Sequence, residues 1–461
     1  MREHWSSKFG FLFASVGSAV GLGLLWKFPY TVGQNGGGFF LLAYVLFLIL
    51  LGIPVFIGEV ILGRSSQKSA ICAFTEFNKE RDFWKLGAYF GVMSSFLIMS
   101  YYSVIAGYGM SYVLMSLMGN YAALGAGTES AVSSAYANLS GSAGISLFWH
   151  VAFSLITLSI VAAGIRKGVE FWAKIMTKML LVILIFFAIY ALFLPGWGQA
   201  FHFIFSPKAN AFSFSSLMEA LGLAFFTMSL GQGIMISYGS YMGKKESIVG
   251  LSFIVGISVL VVAILASMMI FPVVFSFDIS PASGPSLIFE TMPYLFSKLP
   301  GATLFASLFF ILFVFTALTS AIPLVEVVAS NLMEVASITR KKAAWIAGGS
   351  CMVFGIPSAL AGSGVLFSSW QAIYGMNFLK TIDHLVTVWL IPLSALITAL
   401  FIGWGVSRER VREEFVMNKP FLAGLFQVWI RFMRWVVPVV IIVLILQNSG
   451  VVNFEYWLNK I

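Results

Sequence analysis

Long apolar stretches separated by short polar segments run along almost the whole chain. A helix that crosses a bilayer needs about 20 mostly apolar residues, and eleven stretches approach or exceed that length. They lie near residues 9–29, 38–62, 86–118, 146–165, 169–193, 212–241, 247–276, 302–335, 342–361, 379–405 and 423–447. The pattern predicts an all-α polytopic membrane protein with eleven transmembrane helices.

The composition agrees with a chain that is solvated by lipid. Of 461 residues, 59% are hydrophobic and 10% are charged, whereas soluble domains are about 25% charged. The 16% aromatic content excludes a disordered chain. Two cysteines, Cys72 and Cys351, cannot make a disulfide framework. We attribute the net charge of +9 to basic loops at an anionic membrane surface, and expect no nucleic acid partner.

Lysine and arginine fall in alternate loops. They concentrate in residues 64–85, 166–167, 244–245, 340–342 and 408–419, and are absent from residues 31–37, 118–145 and 362–379. Because basic loops stay on the cytoplasmic side, we expect a cytoplasmic N-terminus. An odd number of spans then places the C-terminus outside. We expect the protein to be integral to the inner membrane of a bacterium.

The first and sixth spans each carry a glycine-rich interruption. Residues 17–23 read GSAVGLG, and residues 227–233 read TMSLGQG. Glycine weakens a helix interior by roughly 1 kcal/mol relative to alanine, and unwound backbone survives in hydrocarbon only where it is buried or lines a cavity. Matching breaks five spans apart indicate a two-repeat transporter with a binding site at the midplane. Close helix packing through small residues is the alternative for either segment alone.

These segments resemble the neurotransmitter:sodium symporter family, particularly its bacterial amino acid transporters. Residues 2–5 and 17–38 are similar to the family's first helix, and residues 52–64 with Glu59 to its second. Residues 225–231 are similar to its sixth helix and residues 317–320 to its eighth. The resemblance implies a LeuT-type fold with alternating access. Its inverted repeats would span residues 1–201 and 202–405, followed by the eleventh helix and tail in residues 406–461.

The resemblance also implies a site for a zwitterionic amino acid. Amides of Leu22 and Gly23 with the Tyr102 hydroxyl would hold the carboxylate, while carbonyls in the two breaks would receive the amine. The implied substrate residues are Ser18, Ala19, Leu22, Gly23, Ile98, Tyr102, Ile105, Phe226, Thr227, Ser229, Gln232, Ser320 and Leu324. This lining is mostly apolar with one amide, so we expect a hydrophobic substrate. Without the resemblance, ordinary helix packing would be the expected role of the aromatic and aliphatic members.

The family's first sodium site changes in this chain. The family uses side-chain oxygens at positions that correspond to Leu24 and Val259. A hydrocarbon cannot replace an oxygen ligand of a hard cation, and Thr227 alone cannot rebuild the site. We therefore expect the first sodium to be absent.

The second sodium site keeps its oxygens but gains a nearby lysine. Its implied ligands are Gly17, Val20, Thr316, Thr319 and Ser320. Lys178 stands where the family usually has a proline, ten residues after Gly168, and is expected to face this site. A lysine inside a span is a functional hypothesis, so we expect H⁺ coupling, with Lys178 replacing the sodium. If Lys178 instead points away and snorkels beside Lys174, Na⁺ symport through the second site is the alternative. Glu59 is expected to cap the broken helices, with a proton relay as the other role.

Gates are implied on both sides of the site. The outer gate would pair Lys27 with Asp383, beneath which Tyr102 and Phe226 form a lid, and Leu223 replaces the family's usual glutamine. The implied inner gate consists of Arg2, Trp5, Ser240, Tyr241 and Glu334.

Other classes of function fit less well. A channel would need a continuous polar pore or filter, which the sequence does not show. The four histidines are scattered at ends and in loops, so we expect no enzyme, no catalytic residues and no cofactor. A transport-inactive amino acid sensor on the same fold is the alternative of another class.

Overall fold

The computed structural model describes residues 3–77, 81–119, 129–207, 213–278, 288–417, 419–452, 454 and 456, and the regular elements in these residues are all helical. They are α1 Lys8–Ala19, α2 Gly23–Gln34, α3 Gly38–Ser66, α4 Ala70–Phe77, α5 Asp82–Leu117, α6 Glu129–Gly141, α7 Ala143–Ala162, α8 Ile165–Ala191 and α9 Trp197–Phe205. They continue with α10 Phe214–Thr227, α11 Ile234–Gly239, α12 Ile248–Ser276, α13 Thr291–Ser297, α14 Ala302–Val335, α15 Arg340–Leu360, α16 Trp370–Gly405, α17 Arg408–Val416 and α18 Leu422–Asn448.

Most predicted spans correspond to one long apolar helix. Within the described ranges, nine helices are long and apolar enough to cross a membrane, and α1 with α2 forms a tenth span bent by 43°. The predicted span at 212–241 is divided between α10 and the short α11, and neither is long enough alone. The all-helical polytopic fold is confirmed, while the count of eleven stays a prediction.

Both predicted helix breaks are present. Helix α1 ends at Ala19, and Val20 leaves the helical region with φ −85° and ψ 61°. Helix α10 ends at Thr227, after which Ser229, Gly231 and Gly233 take positive φ values of 54°, 67° and 71°. Glycine adopts this left-handed conformation at little cost, whereas serine is strained in it. The glycines therefore permit the second break, and the strained Ser229 marks it as a functional segment.

The two breaks face each other in the interior. The Ser18 and Ser229 hydroxyls lie 3.0 Å apart, and a Cβ on Gly23 would lie only 2.9 Å from the Phe226 ring. From α3, Glu59 accepts a hydrogen bond from the Gly231 amide at 2.8 Å, the contact expected of a cap. Unwound backbone is thus kept inside the protein, as a bilayer requires.

Helix α8 has an exposed stripe of mostly apolar side chains. On α8, Val182, Ile185 and Ile189 are 66%, 47% and 53% exposed, while Leu180 and Leu184 are fully buried. Because side chains three and four residues apart share a helix face, one stripe of α8 faces lipid and the opposite stripe packs inward.

Candidate substrate and ion sites

A small cavity lies between the two breaks. Its lining is Ser18, Ala19, Gly21, Leu22, Gly23, Ile98, Tyr102, Phe226, Thr227, Ser229, Gln232, Ile234, Ser320 and Leu324. The structure therefore brings together all the implied substrate residues except Ile105. That residue instead lines a vestibule one turn of α5 beyond Tyr102, so its place in the central pocket stays a prediction. Gly21 and Ile234 are additional lining residues.

The polar groups of this cavity converge from three helices. The Leu22 amide donates to the Tyr102 hydroxyl at 3.2 Å, which joins the first break to α5. The Ser229 and Ser320 hydroxyls donate to the Ser18 carbonyl at 3.2 and 2.9 Å. The lining carries no charged side chain. Its backbone and hydroxyl groups suit a molecule whose own charges cancel, as those of a zwitterion do.

The residues implied for the second ion site lie next to this cavity, between α1 and α14. Ser320 reaches the Gly17 carbonyl at 3.5 Å, and the Thr319 hydroxyl donates to the Thr316 carbonyl at 2.9 Å. A Cβ on Gly17 would lie 3.2 Å from that of Thr319. Val20 begins the break, where its backbone leaves the helix. Carbonyl and hydroxyl oxygens are the ligands that hard cations prefer, so the donor set fits Na⁺.

Lys178 does not face this site. Its side chain is exposed on the same stripe of α8 as Val182 and Ile185, and its Nζ lies 5.5 Å from the centre of the Phe13 ring. The neighbouring Thr177 points inward instead, where its Oγ1 would lie 2.8 Å from a Cβ on Gly17. The expectation that Lys178 occupies the second ion site is therefore wrong, because the rotation of α8 directs it to lipid.

Two positions of the family's first ion site carry hydrocarbon side chains in this chain. Leu24 and Val259 are both fully buried. The Thr227 hydroxyl, the side-chain oxygen that the resemblance leaves for this site, lies 2.8 Å from the Tyr44 hydroxyl of α3. A hydrogen bond between α3 and α10 thus engages this oxygen.

Comparison with known proteins agrees with this geometry. The model of the sodium:neurotransmitter symporter family matches residues 2–134 and 133–458. The chain belongs to the sodium:neurotransmitter symporter family.

Several known proteins are similar to this symporter, two of them over nearly its full length. It is 35% identical to an uncharacterised sodium-dependent transporter, YhdH, of Bacillus subtilis, over 98% of each chain. It is 30% identical to the sodium- and chloride-dependent taurine transporter of Rattus norvegicus, over 72% of this chain and 60% of the relative. The crystal structure of MhsT in complex with L-phenylalanine superimposes with a TM-score of 0.89 at 35% identity, covering 97% of this chain and 100% of that one. The protein is therefore a membrane transporter with a LeuT-type fold, and not an enzyme.

The outer side of the symporter opens into a wide vestibule. We call the side of Trp5 the inner side and the opposite one the outer side. The described residues enclose about 540 Å³ in the vestibule and about 30 Å³ in the central cavity. Lys27 and Asp383 both line the vestibule, but no ion pair forms between them; Asp383 accepts a hydrogen bond from Tyr101 at 2.8 Å. The implied outer gate is open in this conformation.

The inner side is closed around Trp5. Its indole N–H donates to the Tyr238 carbonyl at 3.0 Å, and its backbone amide to the Tyr241 carbonyl at 3.1 Å. The Tyr241 hydroxyl donates to the fully buried Glu326 at 2.6 Å. The structure thus brings Trp5 and Tyr241 together, and the neighbouring Ser240 hydroxyl donates to the Ser237 carbonyl. The remaining expected partner, Arg2, lies outside the described residues.

An ion pair completes the inner closure. Arg340, at the start of α15, donates to the Glu326 carboxylate at 2.6 Å and lies 3.7 Å from Glu3. These residues were not among the implied gate residues, although a carboxylate inside an apolar span is itself a signal of function. Glu334 contributes differently: it accepts hydrogen bonds from the Ser69 amide at 2.8 Å and hydroxyl at 2.7 Å, which fixes the start of α4.

Proposed function

We propose that this symporter accumulates a neutral, largely apolar amino acid by alternating access, driven by Na⁺ at the second ion site. The observation that carries this proposal is the uncharged cavity between two unwound segments. Its lining combines backbone amides and hydroxyls with the apolar side chains of Ile98, Ile234 and Leu324. The solved relative in complex with L-phenylalanine supports this substrate class. The basic loops support an inner-membrane protein with a cytoplasmic N-terminus.

The unwound backbone supplies complementary charge for both ends of an amino acid. Unpaired amides carry partial positive charge and free carbonyls partial negative charge. In this proposal the Leu22 and Gly23 amides with Tyr102 bind the carboxylate, and carbonyls of Ala19, Phe226 and Thr227 bind the ammonium group. Ser18 and Ser229 stabilise the facing breaks that present these groups.

Sodium coupling is favoured over proton coupling by the direction of Lys178. Proton coupling depended on an ammonium in the second ion site, and the exposed face of α8 carries that ammonium away from it. The Ser320 hydroxyl lies 3.5 Å from the Gly17 carbonyl, and Thr319 packs against Gly17, which supports a cation site between α1 and α14. A cation supplied from solution is the simplest partner for these oxygens.

Uptake by purified protein in sealed vesicles tests both parts of the proposal. We expect an inward Na⁺ gradient to drive labelled leucine or phenylalanine above equilibrium, and a pH gradient alone to fail. Thr319→Ala removes an oxygen that would bind a charged species, and should raise the Na⁺ concentration for half-maximal uptake by about 10–100-fold. Lys178→Met is the matched control, because it changes a lipid-facing side chain, and should retain the wild-type Na⁺ dependence.

Other outcomes identify the alternatives. Uptake that is driven by a pH gradient without Na⁺ and lost in Lys178→Met would establish proton coupling. Saturable binding without accumulation under any gradient would identify an amino acid sensor on the same fold.

A further inference from the structure

Gln232 lines the central cavity together with the apolar residues Ile98, Ile234 and Leu324. It follows α10 within the second break and is 4% exposed. Its backbone is firmly held: Gly231 and Gly233 on either side take positive φ values of 67° and 71°, and the Gln232 carbonyl accepts a hydrogen bond from Ser95 at 2.7 Å. The position of this side chain is therefore set by the fold.

The Gln232 amide makes no hydrogen bond with any part of the chain that the structure describes. Other polar side chains of the lining are paired with their neighbours, as in the contacts of Ser18 with Ser229, Tyr102 with Leu22, and Thr227 with Tyr44. Gln232 lines the cavity, so its amide can be reached from there although the residue as a whole is little exposed. An unpaired amide on the wall of a binding cavity can pair with a polar group that arrives with the ligand.

We infer that Gln232 is a specificity-determining residue that favours substrates whose side chain combines an apolar body with one hydrogen-bonding group. This inference rests on the proposed function and narrows its substrate class. An amide both donates and accepts, so a hydroxyl, an amide or an indole N–H can pair with it. Ile98, Ile234 and Leu324 accommodate the apolar body. Ionised side chains are disfavoured because the lining offers no opposite charge.

The inference predicts which of two amino acids of similar size the transporter prefers. A purely aliphatic side chain leaves the amide unpaired on binding, and sites that hydrogen-bond a substrate group discriminate strongly against analogues that lack it. Without Gln232, the same pocket would be apolar and would prefer the less hydrated member of each pair.

Competition between nearly isosteric amino acids tests this role. Full-length protein in sealed vesicles is given valine with threonine, leucine with asparagine, methionine with glutamine, and phenylalanine with tyrosine. For the wild-type protein we expect a higher kcat/KM for the polar member of each pair whose two members are both transported. Gln232→Met keeps the side-chain length, and should shift each of those ratios toward the apolar member by about tenfold or more. Gln371→Met changes an exposed glutamine at the start of α16 and should leave every ratio unchanged.

The outcomes separate this inference from the proposed function. Accumulation with a preference for the apolar member in all four pairs of wild type would overturn the inference without any variant. Equal ratios in wild type and Gln232→Met would also overturn it. The absence of Na⁺-driven accumulation of any tested amino acid would instead overturn the proposed function.

Discussion

At the scale of single residues, one buried carboxylate organises the second helix break. Glu59 is 1% exposed, and its Oε1 accepts a hydrogen bond from the Gly231 amide at 2.8 Å. Its Oε2 has no hydrogen-bond partner among the described residues. Because Gly231 has left the helix, its amide has no helical carbonyl to bind. The side chain of α3 thus stabilises backbone that α10 and α11 cannot stabilise themselves.

Removing this carboxylate should destabilise the protein. Glu59→Ala leaves the Gly231 amide buried without its acceptor, which costs about 1–3 kcal/mol. Glu59→Gln keeps an oxygen at the same reach and should lose less. Thermal unfolding in detergent, followed by intrinsic fluorescence, measures both. Glu76→Ala is the control, since Glu76 forms a partly exposed pair with Lys68 of about 0–1 kcal/mol. Equal melting temperatures for wild type and Glu59→Ala would show that the contact between Glu59 and Gly231 does not stabilise the protein.

At the scale of elements, α1 is fastened to α8 on the inner side. Glu170 of α8 is 2% exposed, accepts a hydrogen bond from the Ser6 amide at 2.8 Å and pairs with Lys174 at 2.5 Å. The Ser6 hydroxyl donates to the same carboxylate. Gly10 permits this approach, because a Cβ there would overlap the Glu170 side chain. Opening of the inner side by movement of α1 must break these contacts.

Weakening this fastening should favour an inward-open protein. Glu170→Gln removes the charge from hydrogen bonds worth about 1.5–3 kcal/mol, so we expect the open fraction to rise by about tenfold. A cysteine introduced for the buried Ser15 of α1 reports opening through its rate of alkylation. The background is Cys72→Ser with Cys351→Ala. Burial raises the pKa of Cys72, so its thiol reacts slowly. It is nevertheless replaced, so that the introduced cysteine is the reporter of alkylation.

The matched control for this measurement is Glu413→Gln. Glu413 is an exposed carboxylate of α17, away from α1 and α8. Its substitution should not change the alkylation rate. An unchanged rate in Glu170→Gln as well would mean that these contacts do not restrain α1.

The breaks could be predicted from the sequence, whereas the direction of Lys178 could not. Clustered glycines disfavour helix wherever they lie, so the helix breaks at residues 17–23 and 227–233 can be located from the sequence alone. Which side of α8 faces inward depends on its packing, and one residue along a helix turns a side chain by about 100°. Whether Thr177 or Lys178 faces the ion site therefore depends on the rotation of α8, which no local sequence pattern determines. The pairing of Glu326 with Arg340 was missed for a similar reason, since it joins helices through tertiary packing.

At the scale of the whole molecule, the two sides of the site are unequal. Trp5, Tyr241 and the pair of Glu326 with Arg340 close the inner side, while the vestibule keeps Lys27 and Asp383 apart on the outer side. The described conformation thus gives access from the outer side.

The assignment of the two inverted repeats to residues 1–201 and 202–405 stays a prediction.

The change at the first ion site affects how many Na⁺ ions the transporter moves in each cycle. Leu24 and Val259 offer no oxygen, and the Thr227 hydroxyl is bonded to Tyr44. We therefore expect one Na⁺ for each amino acid, with a Hill coefficient of 1 for Na⁺. Without a membrane potential, a tenfold Na⁺ gradient then sustains at most about tenfold accumulation, because each tenfold ratio is worth about 1.4 kcal/mol. Two ions would sustain about a hundredfold.

Accumulation at zero potential distinguishes these two values directly. Vesicles with equal K⁺ on both sides and a K⁺ ionophore hold the potential at zero while the Na⁺ ratio is varied. The logarithm of the amino acid ratio, plotted against the logarithm of the Na⁺ ratio, should have a slope of 1. Tyr44→Phe frees the Thr227 hydroxyl but adds no oxygen at Leu24 or Val259, so its slope should also be 1. A slope of 2 in wild type would show that a second ion binds despite the hydrocarbon at these positions.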